Sequence, residues 1–224
     1  MKKYALIVAG GNGTRMESDI PKQFIVLYGK PILMHTIEAF SKINTIEILL
    51  VLPQSHISVW EKLIVEYSFS IKHEIIIGGE TRFHSVRNGL DKINEGIVAI
   101  HDGVRPIVSQ VLIEKSFAEA EKNGNAIASV KLKDSIREKS LLGKTKNVNR
   151  NNYYLIQTPQ TFKTALIKDA YLNATHYNFT DDAGVFEEVL NKEINLIEGE
   201  YKNIKITTPE DLLVAEVFLA LKTD

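Results

Sequence analysis

Tyr4–Ala9 reads YALIVA and runs without a break into Gly10–Arg15, which reads GGNGTR. A short apolar run of this kind predicts a buried β-strand, and the glycines behind it let the backbone come close to a bound anion. In mostly parallel sheets, ligands bind beyond the carboxyl ends of the strands. The start of the chain therefore predicts an α/β fold with an anion-binding turn after its first strand.

The rest of the chain alternates short apolar runs with amphipathic segments. Further strands are predicted at Ile46–Leu52, Glu74–Ile77, Ile97–His101 and Ala126–Leu132, and helices at Ile32–Ile43, Val59–Tyr67, Phe83–Ile93 and Val111–Lys122. This alternation predicts one Rossmann-like domain over residues 1–224, with a mostly parallel sheet and helices on both faces. A final helix is expected from Thr208, with Leu213, Val217 and Leu221 along one face.

The alternation stops between Lys133 and Asn152, where the sequence is polar and has no helical period. Strand-like pieces flank this segment, so we interpret residues of about 133–157 as a β-arm that projects from the domain. An arm of this kind usually contacts a partner. The sequence thus indicates a protein that associates through the arm.

Composition excludes several classes of protein. The chain has 27 Lys and Arg against 28 Asp and Glu, without the basic excess that is typical of proteins binding duplex nucleic acid. It has no Cys, which excludes disulfides, thiolate metal sites and Cys nucleophiles. No apolar run approaches the ~20 residues of a membrane span, and Met1–Ala9 does not read as a signal peptide. We therefore expect a cytoplasmic protein that does not bind nucleic acid or membranes.

The glycine-rich turn differs from the two commonest phosphate-binding loops. The dinucleotide fingerprint requires a third glycine where this chain has Met16, and the Walker loop requires a Gly-Lys-Ser/Thr triplet that the sequence lacks. A lone glycine-rich turn is often only a tight connection. Here Arg15 and Lys22 lie on the same connection, and Pro21 restricts the backbone before the lysine. The two cations favour a phosphate site.

Polar side chains also follow the third and fourth predicted strands. GGETR at Gly78–Arg82, with Ser85 one turn later, could be a binding loop or a surface turn that caps a helix. HDGVRP at His101–Pro106 contains Asp102, a suitable hard ligand for Mg²⁺. We interpret His101 as a hydrogen-bonded histidine that supports its loop.

Taken in order, these motifs resemble a known family. GGNGTRM followed by PKQ is similar to the signature of nucleotidyltransferases that join a nucleoside triphosphate to a phosphorylated sugar or polyol. HDGVRP narrows the match, together with QTPQ at Gln157–Gln160, TDD at Thr180–Asp182 and NIKIT at Asn203–Thr207. The whole chain then resembles the 2-C-methyl-D-erythritol 4-phosphate cytidylyltransferases of the non-mevalonate isoprenoid pathway.

The resemblance implies a Mg²⁺-dependent attack of the methylerythritol phosphate on the α-phosphorus of CTP, with release of pyrophosphate. It implies that Arg15 and Lys22 are the catalytic cations. The matching nucleotide-binding residues are Ala9, Gly10, Gly11, Gly13, Gly79, Glu80, Ser85 and Asp102. The matching acceptor-binding residues are Arg105, Ser135, Arg150, Thr158, Thr180 and Lys205. The resemblance also implies a homodimer in which the arm completes the acceptor site, and Mg²⁺ held mostly by phosphates with Asp102 as a minor ligand.

Two alternatives stay open. Ala9-Gly10-Gly11 is also the spelling in the related ribitol 5-phosphate cytidylyltransferases, whereas Gly103 and the segment Val148–Tyr154 favour the methylerythritol enzymes. A non-catalytic nucleotide-sugar sensor on the same fold would be expected to lose the cations of the site, and this chain keeps them. A dinucleotide-dependent oxidoreductase is excluded by Met16.

Overall fold

The computed structural model describes residues 1–11 and 20–221 of the chain. Its strands are β1 (Lys3–Val8), β2 (Val26–Leu27), β3 (Lys30–Pro31), β4 (Ile46–Leu52), β5 (Glu74–Ile77), β6 (Ile97–Asp102), β7 (Asn125–Lys131), β8 (Arg137–Lys139), β9 (Thr145–Asn147), β10 (Tyr154–Lys163) and β11 (Leu196–Glu198). Its helices are α1 (Ile32–Ser41), α2 (Gln54–Glu66), α3 (Arg82–Leu90), α4 (Gln110–Asn123), α5 (Thr164–Asn173), α6 (Asp182–Leu190) and α7 (Pro209–Ala220).

Seven strands form the central sheet, in the order β11-β7-β10-β6-β1-β4-β5. All of them run in one direction except β10, which pairs antiparallel with both β6 and β7. The apolar run that begins the chain is the strand β1, between β4 and β6. Val8 at its end lies opposite Val51 of β4 and Asp102 of β6. This register places the turn at Gly10 beside Asp102.

Helices cover both faces of the sheet because successive side chains of a strand point to opposite faces. Ile7 of β1 packs in a core cluster with Phe40 and Trp60, under α1, α2 and α4. Leu6 packs in a second cluster with Phe162, under α3, α5 and α6. Each fully buried side chain of this size contributes about 1.5–3 kcal/mol to folding. The two apolar faces of β1 therefore hold the helices that surround the site.

The α/β prediction is confirmed, with differences in particular elements. The five predicted strands agree with β1, β4, β5, β6 and β7 to within one residue at each end. Helix α2 begins at Gln54 rather than at Val59, because its first turn is polar and carries no apolar period. The sequence analysis did not predict α5, α6, β11 or the full length of β10.

Helix α7 packs through a different face from the expected one. Leu213 and Val217 are 67% and 59% exposed, whereas Ala215 and Leu219 are buried against the hairpin of β2 and β3. The helix is apolar on nearly every side, so spacing alone could not decide which face is buried. None of the helices in the described ranges combines the length and apolar character needed to cross a bilayer.

The segment between β7 and β10 contains a small hairpin that is separate from the central sheet. Among the described residues, strands β8 and β9 pair only with each other, and every residue of both is exposed. Leu141 and Leu142 lie exposed at its turn. A hydrogen bond from Nη1 of Arg150 to the carbonyl oxygen of Lys133 closes its base. β10 then returns from this arm into the sheet.

Candidate active site

A cavity of about 250 Å³ lies at the carboxyl ends of β1, β5 and β6. These are the strand ends that the sequence analysis singled out. They meet because parallel strands end at the same edge of a sheet. Predicted residues that line the cavity are Ala9, Gly10, Gly11, Lys22, Gly79, Glu80, Ser85, Asp102 and Lys205. Arg15 and Gly13 lie outside the described residues.

Lys22 lies in a short 3-10 turn, Lys22–Phe24, beside the glycine-rich turn. The side chain of Lys22 lies close to this turn, since a Cβ atom on Gly11 would be in van der Waals contact with Cε of Lys22 at 3.4 Å. The neighbouring Gln23 is fully buried and donates from Nε2 to the carbonyl oxygen of Ala9 at 2.9 Å. Gln23 thereby joins the lysine turn to the end of β1, a role that the sequence analysis did not identify.

The loop after β5 is shaped by its own glycines and by Ser85. The hydroxyl of Ser85 accepts from the N–H of Gly79 at 3.1 Å. A Cβ atom on Gly79 would lie 2.4 Å from Cβ of His84, and one on Gly78 would lie 3.0 Å from Oγ of Ser85. The Gly79 position therefore requires glycine for steric reasons, whereas a side chain at Gly78 would require Ser85 to shift by a few tenths of an ångström. Thr81 caps α3, as the helix-capping interpretation expected, so the loop both caps the helix and borders the cavity.

A second cavity, of about 290 Å³, adjoins the first. It lies between β6, β10 and the start of α6. Its lining includes Arg82, Asp102, Arg105, Thr158, Thr180 and Lys205. Arg82, Asp102 and Lys205 also line the first cavity. Two ligands that occupied the cavities would meet at these three residues.

Asp102 is buried and surrounded by three cations. Its Oδ2 lies 3.1 Å from Nζ of Lys205 and 3.2 Å from Nε of Arg105, and its Oδ1 lies 4.0 Å from Nε of Arg82. Burial by itself raises the pKa of this carboxyl, but the charges of Lys205, Arg82 and Arg105 hold the pKa well below its usual range. Asp102 is therefore ionised, and the cations compensate the cost of burying its charge.

His101 and Thr158 hold the backbone on both sides of Asp102. The hydroxyl of Thr158 accepts from the N–H of Asp102 at 3.1 Å and lies 3.0 Å from Nδ1 of His101. Because the hydroxyl proton is then free to donate to Nδ1, the imidazole carries its own proton on Nε2 and donates to the carbonyl oxygen of Arg105 at 3.2 Å. Burial lowers the pKa of His101 to about 4, so the ring is neutral. The histidine supports its loop, as the sequence analysis interpreted it.

The family model for 2-C-methyl-D-erythritol 4-phosphate cytidylyltransferase matches residues 4–221. The chain belongs to this cytidylyltransferase family. The match confirms the resemblance that the motifs indicated, over nearly the whole length of the chain.

Curated relatives and solved structures agree with the family. The 2-C-methyl-D-erythritol 4-phosphate cytidylyltransferase of Bacteroides fragilis is 48% identical over 221 residues, which cover 98% of this chain and 100% of that protein. The protein of the same description from Azobacteroides pseudotrichonymphae is 46% identical over 220 residues, covering 97% and 99%. The crystal structure of 4-diphosphocytidyl-2C-methyl-D-erythritol synthase from Anaerococcus prevotii superposes with a TM-score of 0.83 at 31% identity, covering 97% of this chain and 96% of that one.

The residues that match the acceptor-binding positions of the cytidylyltransferase family divide into two groups. Arg105, Thr158, Thr180 and Lys205 line the second cavity. Ser135 and Arg150 are exposed on the arm, and in the described part of this single chain neither lines that cavity. Lys205 lies in a connection without regular strand structure, which Arg105 holds by donating from Nη1 to the carbonyl oxygen of Asn203 at 2.9 Å.

Three residues to which the sequence analysis gave no role form a group at the same place, in which Asp182 and Tyr171 are buried and Arg82 is partly exposed. Arg82 binds Asp182 through two hydrogen bonds, from Nη1 to Oδ1 at 2.9 Å and from Nη2 to Oδ2 at 2.7 Å. The hydroxyl of Tyr171 donates to Oδ1 of Asp182 at 2.7 Å. Arg82 and Asp182 each belong to a motif of the cytidylyltransferase resemblance, but 100 residues separate them in the sequence. Only the fold brings them together.

Within residues 1–11 and 20–221, no three His, Asp or Glu side chains come together as a metal-binding cluster. Asp102 is the carboxylate that lines both cavities. Mg²⁺ commonly takes one or two protein carboxylates and completes its shell with water and substrate phosphates. This arrangement fits a metal that arrives with a nucleotide, and Asp102 as its minor ligand stays a prediction.

Proposed function

We propose that this chain transfers the cytidylyl group of CTP to the 4-phosphate of 2-C-methyl-D-erythritol, forming 4-diphosphocytidyl-2-C-methyl-D-erythritol and pyrophosphate. The observation that carries the proposal is the pair of adjoining cavities that share Arg82, Asp102 and Lys205. The first has the glycine-rich turn expected for a triphosphate, and the second has cations suited to an acceptor phosphate. Family membership supports methylerythritol phosphate over ribitol 5-phosphate.

The reaction requires positioning and charge neutralisation rather than a strong base. The second pKa of a phosphate monoester is about 6, so the attacking oxygen is already ionised at neutral pH. A bond forms between this oxygen and the α-phosphorus, and the bond from that phosphorus to the bridging oxygen of the β-phosphate breaks, so pyrophosphate leaves. Lys22 and Arg15 would neutralise the charge that spreads over the phosphorus oxygens.

The nucleotide would bind along the first cavity. The backbone N–H groups of Gly10 and Gly11 would face the triphosphate, together with Gly13 of the same turn, whereas the N–H of Ala9 donates to the carbonyl oxygen of Val51 at 3.0 Å, so Ala9 would only line the cavity. Backbone groups around Gly79 and Glu80 would contact the cytosine. Ser85 would act on the base chiefly by holding Gly79, since its hydroxyl already accepts from that N–H group. Mg²⁺ would add positive charge at the phosphates. Asp102 would be a minor ligand of this ion, which would stay chiefly with the phosphates.

The acceptor would bind in the second cavity, where its phosphate would draw Arg105 and Lys205 away from Asp102. Thr180 borders this cavity, and Gln160 supports it by binding the neighbouring Asp181 at 2.9 Å. The hydroxyl of Thr158 is committed to His101 and Asp102, so Thr158 would act through them.

A homodimer is the second part of the proposal. Ser135 and Arg150 of one subunit would reach the acceptor cavity of the other, with the arm at about 133–157 extending from a single domain of residues 1–224. The support is the exposure of both residues and an apolar surface at the base of the arm, where Leu155 is 54% exposed. A cytoplasmic location stays a prediction.

A direct assay tests the activity. Purified protein with CTP, Mg²⁺ and methylerythritol phosphate should release pyrophosphate, measured by a coupled phosphate assay. ATP in place of CTP is the nucleotide control, and ribitol 5-phosphate run side by side is the acceptor control. Turnover of ribitol 5-phosphate without turnover of methylerythritol phosphate would show that the acceptor assignment is wrong.

A further inference from the structure

Arg82 lies where the two cavities meet and lines both of them. Both of its terminal nitrogens are bound to Asp182, which is fully buried, and Asp182 is held in turn by the buried Tyr171. Paired hydrogen bonds between a guanidinium and a carboxylate are strong and fix the orientation of both groups. The remaining nitrogen, Nε, faces Oδ1 of Asp102 at 4.0 Å.

The other two cations around Asp102 are held differently. Lys205 and Arg105 both approach Oδ2, and the side chain of Lys205 is 42% exposed. These are also the two residues proposed to bind the acceptor phosphate. An incoming phosphate can therefore draw Lys205 away from Asp102 and compete with Asp102 for Arg105, which is 11% exposed and is also bound through Nη1 to the carbonyl oxygen of Asn203. It cannot draw Arg82 away without breaking the pair with Asp182.

We propose that Arg82 is a positioning residue: held by Asp182 and Tyr171, it remains as the counter-charge of Asp102 when the acceptor phosphate takes Arg105 and Lys205. This role rests on the proposed function. A buried carboxylate that loses its partners is strongly disfavoured. Without Arg82, Asp102 would compete with the acceptor phosphate for the same two cations, and the acceptor would bind more weakly.

The same pair joins the two substrate sites. Arg82 begins α3, directly after the loop proposed for cytosine, and Asp182 begins α6, two residues after Thr180. A displacement of the first turn of either helix would disturb the pair between Arg82 and Asp182. Arg82 thus connects the nucleotide side of the site to the acceptor side through a fixed contact.

The first test is Arg82→Gln, with Arg87→Gln as the matched control. Arg87 lies in the same helix and lines a surface groove with Asp91 and Lys168, which shares Tyr171 with the Arg82 group but includes neither Arg82 nor Asp182. Loss of one charge-assisted contact should raise the KM for the acceptor about tenfold or more, while the KM for CTP changes by less than about threefold. Arg87→Gln should leave both constants at the wild-type values. An equal rise in both KM values, or a rise confined to the KM for CTP, would overturn the proposal.

The second test separates positioning from folding, because Arg82→Gln also leaves Asp182 buried without its partner. Arg82→Gln/Asp182→Asn removes both charges of the pair and should recover part of the thermal stability that Arg82→Gln loses. The acceptor KM should stay raised in this double variant, since Asp102 still lacks its counter-charge. Recovery of the wild-type acceptor KM together with stability would show that Arg82 acts only in folding.

Equilibrium binding makes the comparison independent of turnover. Calorimetric titration with methylerythritol phosphate, in the presence of a non-hydrolysable CTP analogue, should show the same weakening of about tenfold in both Arg82 variants. Wild-type protein that bound the acceptor but released no pyrophosphate would contradict the proposed activity alone. Equal affinities in wild type and double variant would contradict the role of Arg82 alone.

Discussion

Asp102 lies between the two cavities, and three cations reach its two oxygens from separate parts of the chain. A buried carboxylate of this kind is tolerated only because it is paired. The pairing also prepares the site for anions, because Arg105 and Lys205 are already in place to bind an incoming phosphate. Charge neutralisation that is already in place needs little reorganisation during the reaction.

Lys22→Ala should lower kcat for pyrophosphate release by about a hundredfold, the typical effect of removing one group that stabilises transition-state charge. The fold should be preserved, because Lys22 lies in a short 3-10 turn at the edge of the cavity and not in the apolar core. Steady-state kinetics and thermal unfolding followed by circular dichroism measure the two effects. Lys42→Ala, at an exposed lysine after α1, is the matched control and should keep wild-type kcat. A Lys22→Ala enzyme with near wild-type kcat would contradict the role.

The first half of β10 and the arm before it are largely exposed, unlike most strands of the central sheet that precede them. β10 is exposed where it leaves the arm, with Tyr154 and Leu155 at 43% and 54% exposure, and buried from Gln157 onward. Exposed apolar strand surface beside a projecting hairpin is typical of an interface between subunits. This element is therefore where the proposed homodimer should be tested.

Leu155→Glu should convert the proposed dimer to monomers, because a charge at the centre of an apolar interface is not compensated. Light scattering coupled to gel filtration measures the mass, and the acceptor KM should rise in the monomer because Ser135 and Arg150 no longer reach the partner subunit's cavity. Leu172→Glu is the matched control, since Leu172 is an exposed leucine on α5, away from the arm. Wild-type protein that is monomeric and fully active would contradict the shared site.

Across the whole molecule, the buried His101 and the half-buried His73 connect stability to pH. His73 accepts a hydrogen bond on Nε2 from the indole of Trp60 at 3.0 Å, and its pKa is lowered, chiefly by burial. The pKa of His101 is lowered for the same reason. Because the unfolded chain binds protons at these histidines more readily than the folded protein does, the stability that they contribute is present above pH ~6.5 and is lost as pH falls below that value.

His73→Gln should reduce the loss of stability at low pH. Glutamine stays neutral and can still accept a hydrogen bond from the indole of Trp60. The free energy of unfolding from urea titrations at about pH 7.5 and about pH 5 should fall less in the variant than in wild type. The fluorescence of Trp60, the single tryptophan of the chain, reports the transition. If the free energy of unfolding fell as much in His73→Gln as in wild type, the link between His73 protonation and stability would be contradicted.

Much of the fold could be predicted because many of its strands and helices have a local sequence pattern. Continuous apolar runs placed β1, β4, β5, β6 and β7, since strands buried on both faces leave that signal wherever they occur. β10 was not predicted in full, because its exposed and buried halves have different periods. α5 and α6 lie in segments for which the sequence analysis proposed no elements, and α7 is apolar on too many sides for its packed face to be chosen.

The sequence by itself determined the strand ends at which the site lies and the glycines, cations and carboxylate found there. Each is a local signal: an apolar run, a residue type that follows it, and a motif shared with one family. Only the tertiary structure decided which of these groups touch. Arg82 meets Asp182 across 100 residues, and Lys205 reaches Asp102 from a connection without strand structure. Contacts of this kind depend on how helices pack on both faces of the sheet, and no spacing along the chain encodes them.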